Sequence, residues 1–202
     1  MKKSKFLAVL FDADGVTITP KAPFSVQYAA IHGFDAKKLG SFFNEKFSEA
    51  LIGKRDLKQL LEEGRELWHW EGSVEGLLEE WFETENHVNT DLIALIQQLR
   101  AKGIKCYLAM NQEKYRTKYI KEKMFPTEFD KIFSSAEIGF KKPDTRYYEY
   151  IINELRNDHL ISGPNDLAYL DDSVSNVESA KSLGIASFLY TNVSLVKQLF
   201  IV

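Results

Sequence analysis

The stretch Phe6-Leu-Ala-Val-Leu-Phe-Asp-Ala-Asp-Gly-Val16 decides the fold of this chain. Its apolar run ends abruptly at two aspartates, Asp12 and Asp14. A short apolar run bounded by breaking residues predicts a buried strand, and burial on both faces is typical of the centre of a parallel sheet. Residues two apart in a strand point to the same side, so both carboxylates should face one spot at its carboxyl end, where open α/β sheets bind ligands. Two like charges held so close need a cation or a shared proton. The alternative is an ordinary aspartate-rich turn.

The composition of the 202 residues narrows the class of protein. The net charge of -3 lacks the basic excess of nucleic-acid-binding proteins, so we expect no nucleic-acid partner. The single cysteine, Cys106, is typical of a protein from a reducing compartment. No stretch approaches the roughly 20 apolar residues of a membrane span. We therefore expect a cytoplasmic protein without a membrane partner, as a monomer or a small homo-oligomer.

Two patterns of apolar residues divide the chain. After a proline-containing linker, Thr17 to Pro23, the apolar spacing is helical as far as Glu85, and all three tryptophans fall in this region. From Asn89 onwards, strands alternate with helices, which implies right-handed crossovers and a parallel sheet. The predicted later strands are 104–110, 131–134, 166–170 and 185–190, and the predicted helices lie within 89–103 and at 112–123, 144–156, 173–183 and 195–200. The predicted fold class is α/β, with a doubly wound, Rossmann-like core (1–16 and 89–202) and a helical insert (17–88).

Polar residues follow the other predicted strands as well. Asn111 ends the second strand, a loop after the third carries Lys141 and Lys142, and the fourth ends in Asp171 and Asp172. In a parallel sheet these strand ends lie at one edge, together with the two aspartates of the first strand. Clustered carboxylates suit Mg²⁺, and a lysine beside them can neutralise a bound anion. The set predicts chemistry on a phosphoryl group.

Three motifs resemble those of the haloacid dehalogenase-like superfamily, specifically its branch with a helical cap inserted after the first strand. They are Asp-Ala-Asp-Gly-Val at 12–16, Gly-Phe-Lys-Lys-Pro-Asp at 139–144 and Asp-Asp-Ser-Val-Ser-Asn-Val-Glu-Ser-Ala at 171–180. The resemblance extends over essentially the whole chain. It implies that 17–88 is a cap domain, and that the chain is a Mg²⁺-dependent phosphatase of a small phosphorylated metabolite.

The resemblance also implies a role for each motif residue. Asp12 is the nucleophile that forms an aspartyl-phosphate, ionised without further activation, and Asp14 is the general acid–base. Mg²⁺ is held by Asp12, by the backbone carbonyl of Asp14 and by Asp172 directly, with Asp171 reaching it through water, although the order of the last two could be reversed. Lys142 binds the nucleophile and the phosphate. The second aspartate favours phosphate ester hydrolysis over dehalogenation, because dehalogenases of the superfamily generally lack it.

One position departs from the family pattern. Met110 stands where the family usually has a serine or threonine that bonds a phosphate oxygen, and a thioether cannot donate a hydrogen bond. The next residue, Asn111, fits the family and could bind phosphate through its amide. Losing one transition-state donor costs roughly 2.7–4 kcal/mol. The alternative function is therefore a weakly active or inactive binding or regulatory protein with the same fold.

The helical insert is expected to govern substrate choice by closing over the sheet edge. The stretch Leu51-Ile-Gly-Lys-Arg-Asp56 interrupts the helical pattern and could reach the site. Lys54 or Arg55 could then bind a second anionic group of the substrate, or the stretch could be an ordinary exposed turn.

Overall fold

The computed structural model describes residues 5–40 and 42–200; residues 1–4, 41, 201 and 202 of the predicted domains lie outside the described residues. Within the described part, five parallel strands form one sheet in the order β3-β2-β1-β4-β5. The strands are β1 (Ala8–Phe11), β2 (Lys105–Met110), β3 (Lys131–Ser134), β4 (Leu167–Asp171) and β5 (Ala186–Leu189). The apolar run therefore forms the central strand, as predicted. Because Phe11 pairs in register with Leu108 and Leu170, the three central strands end almost level.

Helices precede or follow each of the later strands. They are α6 (Thr90–Ala101), α7 (Lys114–Tyr119) with a π-helical turn (Ile120–Met124), α8 (Ser135–Ile138), α9 (Thr145–Asn157), a 3₁₀-helix (Pro164–Asp166), α10 (Val174–Ser182) and α11 (Val193–Phe200). Asn89 begins α6, as predicted, since its side-chain oxygen accepts the N–H of Leu92 at 3.2 Å. The predicted helix 112–123 begins at Lys114 and ends in the π turn, and α8 lies where a loop was predicted.

The sheet is buried on both faces. Val9 and Phe11 belong to a cluster formed with α6 and α11, whereas Ala8 and Leu10 belong to a second cluster formed with α9 and α10. Since alternate residues of β1 supply opposite faces, the unbroken apolar run is explained by helices on both sides. This arrangement confirms the predicted doubly wound α/β fold.

Between β1 and α6 the chain forms the helical region, residues 24–84. Its elements are α1 (Phe24–Ile31), a 3₁₀-helix (Ala36–Leu39), a π-helical turn (Phe42–Lys46), α2 (Phe47–Ala50), α3 (Leu57–Glu63), α4 (Arg65–Trp68) and α5 (Val74–Thr84). These elements share a third hydrophobic cluster, which includes Trp68 and Trp81. The two connections to the sheet run side by side, because Thr19 N–H donates to the His87 carbonyl at 2.7 Å and Asn89 N–H donates to the Thr17 carbonyl at 2.9 Å.

Asp130 joins the edge strand β3 to β2. Its carboxylate accepts the Cys106 N–H at 2.9 Å, the Lys105 ammonium at 2.9 Å and the Arg100 guanidinium at 3.3 Å. Partial burial opposes its ionisation, but these donors outweigh that effect and hold the pKa of Asp130 below its usual 3.8. The ionised carboxylate therefore stabilises the fold at neutral pH.

None of the helices in the described part of the chain combines the length and the apolar character needed to cross a lipid bilayer.

Candidate active site

Asp12 lies directly beyond the central strand and is buried. Its Oδ1 accepts two donors, the Ala13 N–H at 2.6 Å and the Lys142 ammonium at 2.5 Å. Thr17 stiffens the same turn, because its hydroxyl donates to the backbone carbonyl of Asp12 at 3.0 Å. In the described contacts Oδ2 of Asp12 is not engaged, so one oxygen of the carboxylate is anchored and the other is free to react.

Lys142 connects two strand ends. Its ammonium, with a side chain only 2% exposed, lies 2.5 Å from Asp12 and 2.8 Å from Oδ2 of Asp171. Asn111 fixes the backbone at this lysine from the neighbouring strand, donating to its carbonyl at 2.9 Å and accepting its N–H at 2.8 Å. The amide predicted to bind phosphate is thus engaged with the lysine loop, and one of its two N–H groups remains for a ligand.

Asp171 is fully buried and surrounded by donors. Besides Lys142, its carboxylate accepts the Tyr169 hydroxyl, the Ser173 N–H at 2.8 Å and the Asn176 amide at 3.0 and 3.1 Å. In the sequence, Asn176 lies in the third motif without an assigned role of its own, and Tyr169 was not indicated. Both oxygens of Asp171 are therefore occupied.

Asp172 faces the open side of the site and is exposed. Its position depends on Gly15, whose φ is +83° and whose missing Cβ would lie 2.0 Å from Oδ2 of Asp172. A side chain at position 15 would therefore collide with this carboxylate, in addition to the strain of a left-handed backbone. The glycine of the first motif allows the close approach as well as the turn.

Asp12, Asp171 and Asp172 form an acidic cluster. One carboxylate oxygen of each lies within 4.8 Å of the others, a spacing that a single metal ion can bridge. Burial raises the pKa of Asp12 to about 8; Lys142 opposes this rise, and the charge of Asp171 adds to it. With the protein groups alone, Asp12 therefore favours the protonated form at pH 7, in contrast to the expectation that it is ionised without further activation. One ammonium therefore does not neutralise the cluster, and a divalent cation fits the charge that is missing.

The carboxylate of Asp14 is not part of that cluster and faces a cavity. The carboxylate is exposed to this cavity, whose walls come from the sheet edge and the helical region, so protein lies around the carboxylate on several sides. Burial raises the pKa of Asp14, opposed mainly by Arg116, with Glu85 adding to the rise. Oδ2 of Asp14 accepts the Gln112 amide at 2.5 Å, which leaves Oδ1 to exchange a proton.

Met110 does not face the site. It is fully buried, in the hydrophobic cluster that also contains Val16, Ile120 and residues of α6. The position therefore contributes packing, and it offers no side-chain donor for an anion.

The cavity beside Asp14 has a volume of about 490 Å³. The sequence interpretation missed the polar residues Gln112, Glu113 and Arg116 in its lining, because they follow the second strand without matching a motif. Lys54 and Arg55 do not line the cavity, and Arg55 instead pairs with Glu63 at 2.6 Å. The two residues are thus placed as the exposed-turn alternative expects. Lys141, from the same loop as Lys142, donates to the Ser48 hydroxyl of the helical region at 2.7 Å.

The family model of haloacid dehalogenase-like hydrolases matches residues 6–184. The chain belongs to this family. The resemblance drawn from the three motifs is confirmed at that level, and the chain is a haloacid dehalogenase-like hydrolase.

Relatives of this hydrolase include fungal proteins and solved bacterial structures. The sesquiterpene phosphatase astK of Aspergillus oryzae is 24% identical over 199 residues, covering 93% of this chain and 91% of that protein. The drimenol cyclase drtB of Aspergillus calidoustus is 42% identical over 65 residues, which are 32% of this chain and only 11% of that protein. The HAD family enzyme bt-2542 of Bacteroides thetaiotaomicron superposes with a TM-score of 0.79 at 20% identity over 98% of both chains. Its complex with magnesium and inorganic phosphate superposes with a TM-score of 0.75 at 21% identity, over 95% of this chain and 98% of that one.

Proposed function

We propose that this hydrolase is a Mg²⁺-dependent phosphatase that acts on a small phosphorylated metabolite through an aspartyl-phosphate. The observation that carries the proposal is the buried ammonium of Lys142 on one oxygen of Asp12, at 2.5 Å, with Asp14 exposed to the adjoining cavity. This set suits transfer of an anionic group to a carboxylate followed by hydrolysis. A phosphatase among the relatives, and a structural neighbour that binds magnesium and inorganic phosphate, support the same reaction.

In the first step Oδ2 of Asp12 attacks phosphorus while Oδ1 stays anchored to Lys142 and the Ala13 N–H. As the bond to the leaving oxygen breaks, Asp14 gives that oxygen a proton. Its raised pKa favours the protonated form that this step needs. In the second step Asp14, now ionised, takes a proton from water as the water attacks phosphorus, which releases phosphate and restores Asp12.

The cation of this reaction would be Mg²⁺, held by Asp12, Asp172 and the backbone carbonyl of Asp14. We assign Asp172 the direct contact because the oxygens of Asp171 are already occupied by protein donors. When bound there, the cation would offset the repulsion between carboxylate and phosphate. Asp171 would then hold Lys142 in place.

We further propose that residues 17–88 form a cap domain, with the core formed by 1–16 and 89–202. The separate hydrophobic cluster of the helical region and the paired connections at Ile18 and Val88 support this division. A cap in this position excludes water from the phosphoryl group during attack on the ester. A cytoplasmic location and a monomeric or small homo-oligomeric state stay predictions.

The test is phosphate release from a panel of phosphorylated metabolites, with and without Mg²⁺. The wild type should release phosphate only with Mg²⁺, and Asp12→Asn should be inactive. Asp91→Asn removes the same charge from the exposed start of α6 and should keep wild-type activity.

The second candidate, a weakly active or inactive binding protein, is favoured by Met110. A folded wild type that binds Mg²⁺ but releases no phosphate from any ester would support it and contradict the phosphatase. Met110→Ser should not restore turnover, because the side chain at this position is buried in an apolar cluster away from the site.

A further inference from the structure

The cavity beside Asp14 has two unlike ends. Its polar end is bounded by Asp14, Gly15 and Asp172, next to the proposed nucleophile. Its apolar wall comes from the helical region and the linker before it. The apolar lining consists of Pro20, Pro23, Phe43, Phe47, Leu51, Leu57, Trp81 and Phe82. A volume of about 490 Å³ lies within the range of roughly 300–1,000 Å³ that small-molecule sites occupy, so there is room for more than a phosphoryl group.

The aromatic part of this wall is held in place by its own packing. The ring centroids of Phe43, Phe47 and Trp81 lie 5.4 to 5.6 Å from one another, in the range of favourable aromatic pairs. The indole N–H of Trp81 donates to Glu85 at 3.0 Å, so its polar atom is already satisfied. What the three rings offer to a ligand is therefore apolar surface.

Arg116 is the one basic side chain in the described lining of the cavity, and it already interacts with other groups of the protein. The guanidinium of Arg116 is buried, lies 3.5 Å from the Glu85 carboxylate and stacks 5.4 Å from the ring centroid of Phe82. Its Nε is shielded from solvent and has no hydrogen-bond partner among the described residues. A second anionic group on the substrate would thus meet a cation that is already paired.

Two further polar side chains of the lining, Gln112 and Glu113, already form hydrogen bonds within the protein. The Gln112 amide donates to Asp14 at 2.5 Å, and the carboxylate of Glu113 accepts the backbone N–H groups of Tyr115 and Arg116 at 2.7 and 2.5 Å. Burying a hydroxyl against the aromatic wall without a partner is unfavourable. The lining thus disfavours polyhydroxylated and doubly charged esters.

We propose that the substrate is a phosphate monoester whose organic group is apolar and uncharged, and that this group lies against the wall formed by Phe43, Phe47 and Trp81. The inference rests on the phosphatase activity proposed above. Each methylene moved from water into such a cavity contributes ~0.8 kcal/mol, which corresponds to about a four-fold gain in kcat/KM.

The experiment is a homologous series of n-alkyl phosphates from ethyl to octyl, below their micellar concentrations, with glycerol phosphate and glucose 6-phosphate for comparison. The value of kcat/KM should rise about four-fold per methylene until the chain fills the cavity, with octyl exceeding ethyl by at least ~100-fold. The two polar esters should be no better than ethyl phosphate. Phosphate release that is independent of chain length, or faster from the polar esters, would overturn the inference and leave the phosphatase activity intact.

Calorimetry with n-octylphosphonate and ethylphosphonate, which are not hydrolysed, separates the two proposals. Octylphosphonate should bind at least ~100-fold more tightly and with a negative heat-capacity change. Tight binding without release of phosphate from any ester would refute the activity and retain the assignment of an apolar ligand. Equal binding of the two phosphonates would refute that assignment.

A matched pair of alanine variants, at Phe47 and Phe34, tests where the organic group of the ligand lies. Phe47→Ala should lower the octyl-to-ethyl ratio of kcat/KM by about ten-fold or more, and Phe47→Leu should restore most of it. Phe34→Ala makes the same change at a half-buried residue of the same hydrophobic cluster that does not line the cavity, so it should leave the ratio unchanged. An equal effect of the two alanine variants would mean that general loosening of the helical region, and not contact with the ligand, sets the ratio.

Discussion

Replacing Lys142 with methionine removes an ammonium from the most highly charged buried position of the active site while keeping the size of the side chain. The lysine side chain is 2% exposed, and it lies 2.5 Å from Asp12 and 2.8 Å from Asp171. The variant therefore leaves two buried carboxylates that have lost their common partner. Asp171 keeps its other donors, so the larger loss falls on Asp12.

Breaking a buried ion pair by removing one partner costs about 3–5 kcal/mol. For a domain of this size each kcal/mol lowers Tm by roughly 2–4 °C, so Lys142→Met should melt ~6–20 °C below the wild type. Removal of a donor that stabilises transition-state charge lowers turnover by about 10²–10³-fold. Mg²⁺ should raise the Tm of the variant more than that of the wild type, because the cation supplies positive charge that the variant lacks.

The measurements are urea and thermal unfolding with and without Mg²⁺, and kcat/KM on the best ester. The matched control is Lys141→Met, at the adjacent half-buried residue whose ammonium donates to Ser48. It should cost less than about 1.5 kcal/mol and change kcat/KM less than about three-fold. If Lys142→Met unfolds within about 1 kcal/mol of the wild type, the ammonium does not balance the buried carboxylates and the electrostatic reasoning is wrong.

Three further substitutions test single contacts. Gly15→Ala should lower kcat/KM at least ten-fold, because the new Cβ would collide with the carboxylate of Asp172. The control Gly103→Ala has a similar φ of +84° and open space around Cβ, so it should cost only ~1–2 kcal/mol of stability. Equal kinetics for the two variants would refute the clash. Tyr169→Phe should lower the free energy of unfolding by about 1.5–3 kcal/mol, because the Tyr169 hydroxyl donates to the buried carboxylate of Asp171. Tyr107→Phe should leave it unchanged in the same urea assay, because the Tyr107 hydroxyl has no partner among the described residues. Asp130→Asn should cost roughly 1–2 kcal/mol at pH 7. The native pKa of Asp130 is below 3.8, so its stabilisation is present above that pH, and the difference in unfolding free energy should shrink as the pH falls below it; a constant difference down to pH 2 would contradict the assignment.

Residues that the backbone itself orients could be predicted from the sequence. Asp12 and Lys142 are 130 positions apart in the chain. Asp12 directly follows the central strand and Lys142 lies in a loop at the same edge of the sheet, so the topology of a parallel sheet brings them together. The central place of β1 also follows from its composition, because only a strand covered on both faces remains apolar at every position. Motif spacing thus specifies the acidic cluster and its lysine.

Contacts made by side chains from the irregular stretches could not be predicted in that way. Gln112 reaches Asp14 only because the chain turns after β2, and nothing in its local pattern distinguishes it from a surface glutamine. Arg116 lies in a helix that the sequence predicts, but the helical region covers its side chain and leaves the residue only 2% exposed. Burial of this kind is a tertiary effect, since it depends on how two parts of the chain pack together.

The site combines a charged sheet edge with an apolar cavity wall, and the helical region contributes to the function proposed for each. Carboxylates gathered at a sheet edge repel one another, so the edge needs positive charge, which Lys142 supplies in part and a bound cation would complete. In the proposed reaction, water would screen these charges and weaken their action on a phosphoryl group, and the apolar wall around Trp81 would exclude it. The same wall is the surface on which an apolar organic group gains most from leaving water. Under the two proposals, water exclusion for the reaction and selection of the substrate are consequences of one packing arrangement, and a change that makes the wall polar should weaken both.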